Sequence, residues 1–449
     1  VTGAATAPMP YRLEVLRPTE RLLPISRFGP ILGWKTGLIK EVHIAHVEPD
    51  EPQLFHVSVI NSKIDRLMGE SFTVNLRAAG SGFSLIDAFS RAAGEVVERY
   101  ACCWYDEDAI VFDSYEGMVE RGLEAVDPEH IALFSPDQYK RADFPFVPLT
   151  RQTKVGWTPG VSLARRREVY LPAQLVYFRY RQRPGEAPIT YSTSSGCACA
   201  PTMEEALLKG LCEQIERDAA MITWFARLKP PAVDLNRFPK VMERFANVRL
   251  FGPGREFHVR ETTLDIPIPS FMGVARVRVA GHTRCFVGGA ASPDPAAGVA
   301  KTLLELGQGV PFIKTILVHN PYPQKFDFNN FDDNLRLYAD PRHADKLAFL
   351  TESQRVSLLG PRASPQTTAQ DLADVVRTLS NLGFDAIAVD HTTPDVASLG
   401  LVVARVYVPG LVQLGVPALP FLGSPRLFEV PRRLGVHVES LNPLPHPYP

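Results

Sequence analysis

The stretch "EEALLKGLCEQIERDAA", residues 204–220, sets Glu213, Glu216 and Arg217 into a run otherwise suited to pack as a helix. Positions three and four apart share one helix face, so the three side chains project together. "AAGEVVERYA" at 92–101 repeats the E-x-x-E-R phrase and puts Glu95, Glu98 and Arg99 on one face. Further on, "DPAAGVAKTLLELGQGV" places Lys301, Glu305 and Gln308 at related spacing with different chemistry. One such Glu–Arg pair would be a solvated face worth roughly 0.2–0.5 kcal/mol. Two copies set among Ala, Val, Leu, Ile and Cys need another account, because a carboxylate on an apolar helix requires a cationic partner.

Four carboxylates offer hard oxygen ligands, which favour magnesium, and magnesium usually also holds substrate phosphates. Two arginines nearby suit phosphate oxygens. The pattern therefore points to a nucleotide site without a P-loop: G-x-x-x-x-G-K-[ST] is absent, and "GSGFSL" lacks the third glycine of a dinucleotide fingerprint. A di-iron bundle would need Glu-x-x-His motifs, which the sequence does not contain.

Around these helices the chain alternates between sheet-like and helical segments. "GLIKEVHIAHV" and "LFHVSVINS" have the β-branched and aromatic content of strands, and "AAGSGFS" is expected as a small-residue turn before a helix from Leu85 to about Cys103. "REVYLPAQLVYFRY" and "PITYSTS" are expected to form a hairpin across "RQRPGEA". Thr202 is the expected N-cap of the central helix, with Glu204 and Glu205 in its first turn, and the helix should stop before "KPPAV". "ARVRVAGHTRCFVGGAAS" is expected as sheet feeding the third helix, so a small-residue turn leading into a helix recurs three times. "HNPYPQKFDFNNFDDN" is expected as surface loop, "GPRASPQTT" as a linker before the helix "AQDLADVVRTLSNLG", and "FDAIAVDHT" and "VVARVYVPG" as strands. The fold class expected is α/β of the mixed α+β kind, helices packed on a mixed sheet.

Composition excludes several classes. A net charge of −1 gives no global reason to expect nucleic acid or an anionic membrane as partner. "LGLVVARVYVPGLVQLGVPALPFLG" is interrupted by Arg405, Pro409, Pro417 and Pro420, short of the roughly 20 unbroken apolar residues of a spanning helix, and is expected as buried strands and loops. "VTGAATAPMPYRLEVLRP" shows no basic start followed by an apolar core, so the cytoplasm is the expected compartment. The six cysteines are too few and irregular for a disulfide framework, and neither "ACCWY" nor "GCAC" has the second ligand pair of a zinc site, so reduced and mostly buried thiols are expected. The run "LNPLPHPYP" alternates Pro443, Pro445, Pro447 and Pro449; it cannot join a helix or central strand and prefers a stiff extended form.

Taken together, "AGSGFSLIDAFSRAAGEVVERYA", "SSGCACAPTMEEALLKGLCEQIERDAAMITW", "AASPDPAAGVAKTLLELGQ" and "VDHTTPDVASLGLVVARVYVPGL" resemble, in order, the blocks of the YcaO family. The resemblance runs from about residue 60 onward. It implies a YcaO domain over 61–449 with a β-rich extension over 1–60 packed on it, helices on sheets around a central ATP cavity, and a Pro-rich tail at 443–449. By this resemblance Glu95, Glu98, Glu213 and Glu216 hold magnesium, while Ser90, Arg99, Arg217, Lys301, Glu305 and Gln308 serve the nucleotide. The sequence departs from the family where Arg91 replaces a serine, with Ser90 one position off, and where Lys301 replaces an arginine; lysine keeps the charge but loses the planar fork. The alternating prolines resemble the tail of azoline-forming members, which makes the carboxylate of Pro449 the implied base.

What the resemblance implies is an ATP- and Mg2+-dependent cyclodehydratase. It turns Cys, Ser or Thr of a ribosomal precursor peptide into thiazoline or oxazoline in thiopeptide or linear azole peptide biosynthesis. The chain has little room for a peptide-capturing domain, so a separate E1-like, ocin-ThiF-type protein is expected to bind the precursor's leader. A flavin-dependent azoline dehydrogenase downstream and a homodimer are also expected. The alternatives are a YcaO enzyme making a thioamide or amidine, and a YcaO scaffold that no longer turns over ATP.

Overall fold

The computed structural model describes residues 13–16, 27–49, 51–62, 77–279, 281–319 and 332–448. Three antiparallel sheets organise it. The first runs β1 (Leu13–Leu16), β2 (Ile39–Ala45), β3 (Phe55–Asn61), β4 (Arg77–Gly82). The second joins β5 (Val111–Asp113), β6 (Val155–Ser162), β12 (Ile387–Asp390), β13 (Val402–Tyr407) and β8 (Cys197–Ala200), with β7 (Glu168–Pro172) paired to β6. The third is β11 (His282–Ala291), β10 (Ser270–Val279), β9 (Arg255–Glu261). The α+β class expected from the sequence is the class found, with every pairing between these strands antiparallel.

Three strand–helix units carry the charged helices. β4 leads into α1 (Leu85–Ala101), β8 into α2 (Met203–Phe225) and β11 into α3 (Pro295–His319). Each helix also touches the strand that begins another unit: α1 meets β8, α2 meets β11 and α3 meets β4. The three units thus close into a ring. The caps are equivalent too. Ser84, Thr202 and Asp294 accept from the backbone N–H of Asp87, Glu205 and Ala296, each satisfying a donor the first helical turn leaves free.

The small residues before the first two helices are strands where the sequence suggested turns, and those before the third lie in the sheet expected there. "AAGSG" lies in β4 and pairs with β3. The reason is close approach: a Cβ at Gly80 would collide with the Ala88 carbonyl of α1. Small side chains here are the condition for laying a helix directly on its own strand.

The hairpin expected across "RQRPGEA" does not form. β7 pairs with β6, a helical turn Ala173–Val176 follows, and 188–194 lies outside the strands. Buried Glu186 explains the substitution: its carboxylate accepts from Gly156 N–H, Gln174 Nε2 and Tyr180 Oη, so side chains hold this segment where a ladder was expected. Most of the expected loop at 319–334 lies outside the described residues; Asp332 and Asp333 open α4 (Asp332–Ala339), and Asn334 in it is buried. The segments read as a linker, helix and strands at 360–408 hold: α5 (Thr368–Asn381) starts with a capping box and is followed by β12 and β13.

The C-terminal helix α6 (Arg426–Arg433) is tied to α2 by a buried ion network. Arg426 bonds both oxygens of Asp218 at 2.9 and 2.6 Å and both oxygens of Asp265 at 2.8 and 2.9 Å. Beyond α6 the proline run docks on the core through its carbonyls. Trp224 Nε1 donates to Leu444 O at 3.1 Å, Tyr338 Oη to Pro445 O at 2.5 Å, and Asn334 Nδ2 to Tyr448 O at 3.1 Å. His446 Nε2 donates to Gly415 O at 2.6 Å. Proline brings no N–H, so donors from the core must satisfy this stretch, and they do. Pro449 lies outside the described residues.

Candidate functional site

The ring of units places one glutamate of each helix on a backbone N–H of its own unit. Glu95 accepts from Ala79 N–H at 3.1 Å, Glu213 from Gly196 N–H at 3.2 Å, and Glu305 from Gly289 N–H at 3.0 Å. Gly196 must be glycine here: its φ is +84° and a Cβ would collide with the Val406 carbonyl. The three glutamates are structurally equivalent. Three residues further along stand Glu98, Glu216 and Gln308, and four residues earlier stand Arg91, Lys209 and Lys301.

The equivalent positions diverge in what they bind. Arg91 pairs with Asp87 at 3.0 Å and Lys209 with Glu205 at 2.8 Å, each with the acid one turn earlier on its own helix. Lys301 has Ala297 in that place and instead lies 3.7 Å from Glu216 and 3.9 Å from Glu305. The lysine that replaces an arginine thus bridges two helices. Ser90 lies one position off the face of Glu95 and Glu98, and Arg91 occupies that face. Gln308 shares the α3 face of Lys301 and Glu305.

Charges at the centre interlock. Arg99 reaches Glu95 at 2.5 Å. Arg217 lies 3.4 Å from Glu213 and 3.3 Å from Glu216, which is 3% exposed. Desolvation raises the Glu95 carboxyl against the pull of Arg99 and the Ala79 N–H. Burial, followed by Cys197, Glu213 and Glu95, pushes Glu98 well above the carboxylate range. Burial likewise lifts Glu216 to about 7, with Arg217 and Lys301 opposing. Burial alone would lower Arg217, yet Glu216 and Glu213 hold its pKa above the usual value.

Five carboxylates, Glu95, Glu98, Glu213, Glu216 and Glu305, share this region with three cations, Arg99, Arg217 and Lys301. The excess of negative charge suits a site for divalent cations, and oxygen-only donors suit magnesium. In the present arrangement, among the described residues, no three Asp, Glu, His or Cys side chains converge closely enough to hold a metal ion, because several carboxylates point at the internal cations. Arg217 Nε, buried, has no hydrogen-bond partner among the described residues and is oriented by its two carboxylates. Such a donor fits a phosphate oxygen.

Two features escaped sequence reasoning. All six cysteines are free thiols, as expected, but Cys102 and Cys197 meet at 3.2 Å. The hydrogen bond from Cys102, together with Arg405, lowers the Cys197 pKa against the effect of burial. A cysteine's neighbour 95 residues away leaves no local signal. The second feature is the ring of Tyr448, whose centre is 5.0 Å from the Arg217 guanidinium. Its place between prolines was visible; its contact with Arg217 was not.

Three helices that pool carboxylates and cations in a chain without a P-loop define the class: an α+β protein with a charge-rich centre built from three strand–helix units. The chain belongs to the YcaO family: the family model described as YcaO cyclodehydratase, ATP- and Mg2+-binding, matches residues 79–412. ATP and Mg2+ are accordingly its cofactors.

A solved heterocyclase in complex with substrate and cofactor is similar over 96% of this chain and 57% of its own, at 25% identity and a TM-score of 0.76. The heterocyclase TruD is similar over 81% of this chain and 52% of its own, at 27% identity and a TM-score of 0.60. A protein encoded in the tfuA 3' region of Rhizobium leguminosarum bv. trifolii is 28% identical over 51% of this chain and 53% of its own length. The chain thus spans little more than half of each of these relatives. Among the described residues no helix is long and apolar enough to cross a membrane.

Proposed function

We propose that this protein is an ATP-dependent peptide cyclodehydratase that forms azolines from Cys, Ser or Thr residues of a ribosomal precursor peptide. The observation that carries this reading is the carboxylate-rich centre of three equivalent helices, with a proline tail docked against its arginine. The similarity to two heterocyclases supports the same reaction class.

Glu95, Glu98, Glu213 and Glu216 would hold Mg2+, and Arg99, Arg217, Lys301, Glu305 and Gln308 would line the nucleotide, with Ser90 at the margin. When bound, ATP would supply the phosphoryl group that carries away the amide oxygen and Mg2+ would neutralise its charge. Arg217, oriented by Glu213 and Glu216, meets the charge on that group, which is the main task in phosphoryl transfer. The substrate thiol or hydroxyl would give up its proton as it attacks the preceding backbone carbonyl carbon, the former carbonyl oxygen would leave as phosphate, and the amide nitrogen would lose its proton as the C=N bond forms. The Pro449 carboxylate is our candidate for the base, delivered by a tail whose prolines restrict its freedom.

We also propose that a separate E1-like protein captures the leader, that the protein works in the cytoplasm as a homodimer, and that a flavin-dependent dehydrogenase oxidises the azolines. Thiopeptide and linear azole pathways both fit. The test combines protein, leader-binding partner, precursor, ATP and Mg2+, and weighs the peptide: loss of one water per ring supports the proposal. An unchanged mass across cognate precursors, or mass gain dependent on a sulfide donor, rejects it.

A further inference from the structure

Tyr448 has a hydroxyl that the fold itself does not explain. The side chain is 1% exposed, its ring covers Arg217, and its carbonyl is held by Asn334. Its Oη lies so close to β11 that a Cβ at Gly289 would collide with it, and the Gly289 N–H is the group that holds Glu305. Yet this buried Oη makes no hydrogen bond among the described residues. Phenylalanine would fill the space without burying a polar atom, and an unmade hydrogen bond is expensive in such a place. No partner for it stands among the described residues, which leaves the position open to a bound acceptor.

Its chemistry follows from the neighbours. Burial, followed by the charges of Glu216 and Glu305, keeps the phenol protonated, so it serves as a donor. The adjacent Arg217 Nε is a second buried donor without a hydrogen-bond partner. Two such donors side by side, with Lys301 bridging Glu216 and Glu305 nearby, call for an anionic acceptor rich in oxygens.

We propose that the Tyr448 hydroxyl is a phosphate ligand, donating to an oxygen of the bound nucleotide so that the docked tail completes the ATP site. This rests on the reading that ATP binds among the three helices. It gives the tail a binding role separate from any carried by the Pro449 carboxylate.

Calorimetric titration of the full chain with Mg2+ and β,γ-methylene-ATP, and separately with adenosine, tests it. Tyr448→Phe should weaken the analogue about tenfold, as loss of a charge-assisted hydrogen bond does, while leaving adenosine affinity unchanged and the Tm of the ligand-free protein at or above the wild-type value. Tyr448→Leu, which also removes the ring from Arg217, should weaken the analogue further. Wild-type affinity for the analogue in Tyr448→Phe, or equal loss for analogue and adenosine, overturns the proposal. Glu216→Gln separates the two ideas. If wild type shows no Mg2+-dependent binding, or keeps it in Glu216→Gln, the ATP-site reading fails and the tyrosine's role with it. If binding is lost in Glu216→Gln but intact in Tyr448→Phe, only the tyrosine's role fails.

Discussion

Glu216 is the residue on which charge, fold and function meet. It is 3% exposed and its carboxyl is raised from 4.5 to about 7. A carboxyl raised on folding stabilises the protein fully below its unfolded value, and that contribution is lost as pH rises through the folded one. The metal-free protein should therefore lose stability between about pH 5 and pH 8. Glu216→Gln should raise Tm at pH 8 and leave it near wild type at pH 4, read by calorimetry at both values. The same substitution should lower Mg2+-dependent ATP hydrolysis at least about 100-fold, because on the proposed reading it removes a metal ligand together with the partner of Arg217. A wild-type rate would remove Glu216 from the site. Wild-type Mg2+-nucleotide affinity should also fall as pH drops below about 7, when the proton competes with the metal.

At the scale of elements, the strand–helix unit is the device that repeats. Gly196 shows its tolerance: at φ +84°, beside the Val406 carbonyl, alanine meets both backbone strain and a collision. Gly196→Ala should destabilise by about 2–4 kcal/mol in urea unfolding, and should shift the N–H that holds Glu213. Thr202→Ala, which removes the α2 cap, should cost only about 1 kcal/mol. The repeat was partly legible. Three small-residue segments ahead of three polar helices stood in the sequence, but the first two look like turns, since strand propensity is poor in Ala, Gly and Ser. Sheet pairing overrides that propensity, because only small side chains let each helix lie on its strand. The hairpin expected after β7 failed for the complementary reason: a carboxylate at Glu186 bonds Gly156 of β6, Gln174 of the helical turn and Tyr180 beyond it, and no local pattern announces such contacts.

Across the whole molecule, Arg426 holds the C-terminal region to the core. Its pair with Asp218 is buried and that with Asp265 half-buried, so Arg426→Leu leaves the buried Asp218 carboxylate without its cation and should cost about 3–5 kcal/mol. The measurement is denaturant unfolding, with Asp265→Asn as the milder comparison. Removal of residues 443–449 uncovers Trp224 and Tyr338 and unmasks Arg217. Ring formation should be lost with it, measured by peptide mass; undiminished ring formation would dismiss the tail from the reaction.

The sequence by itself determined the three charged helices, the Thr202 cap and the polar face of each, because helical spacing and capping are local and leave a period in the chain. It also determined the family, through four ordered blocks. Only the tertiary structure decided that the three glutamates are equivalent, that Lys301 bridges two helices, that Cys102 meets Cys197 and that Tyr448 lies on Arg217. Those relations join residues from different helices, or up to 231 positions apart as for Tyr448 and Arg217, and are set by how three units close on one another. Burial then shifts the carboxyls, a property of the packed assembly that no residue carries alone.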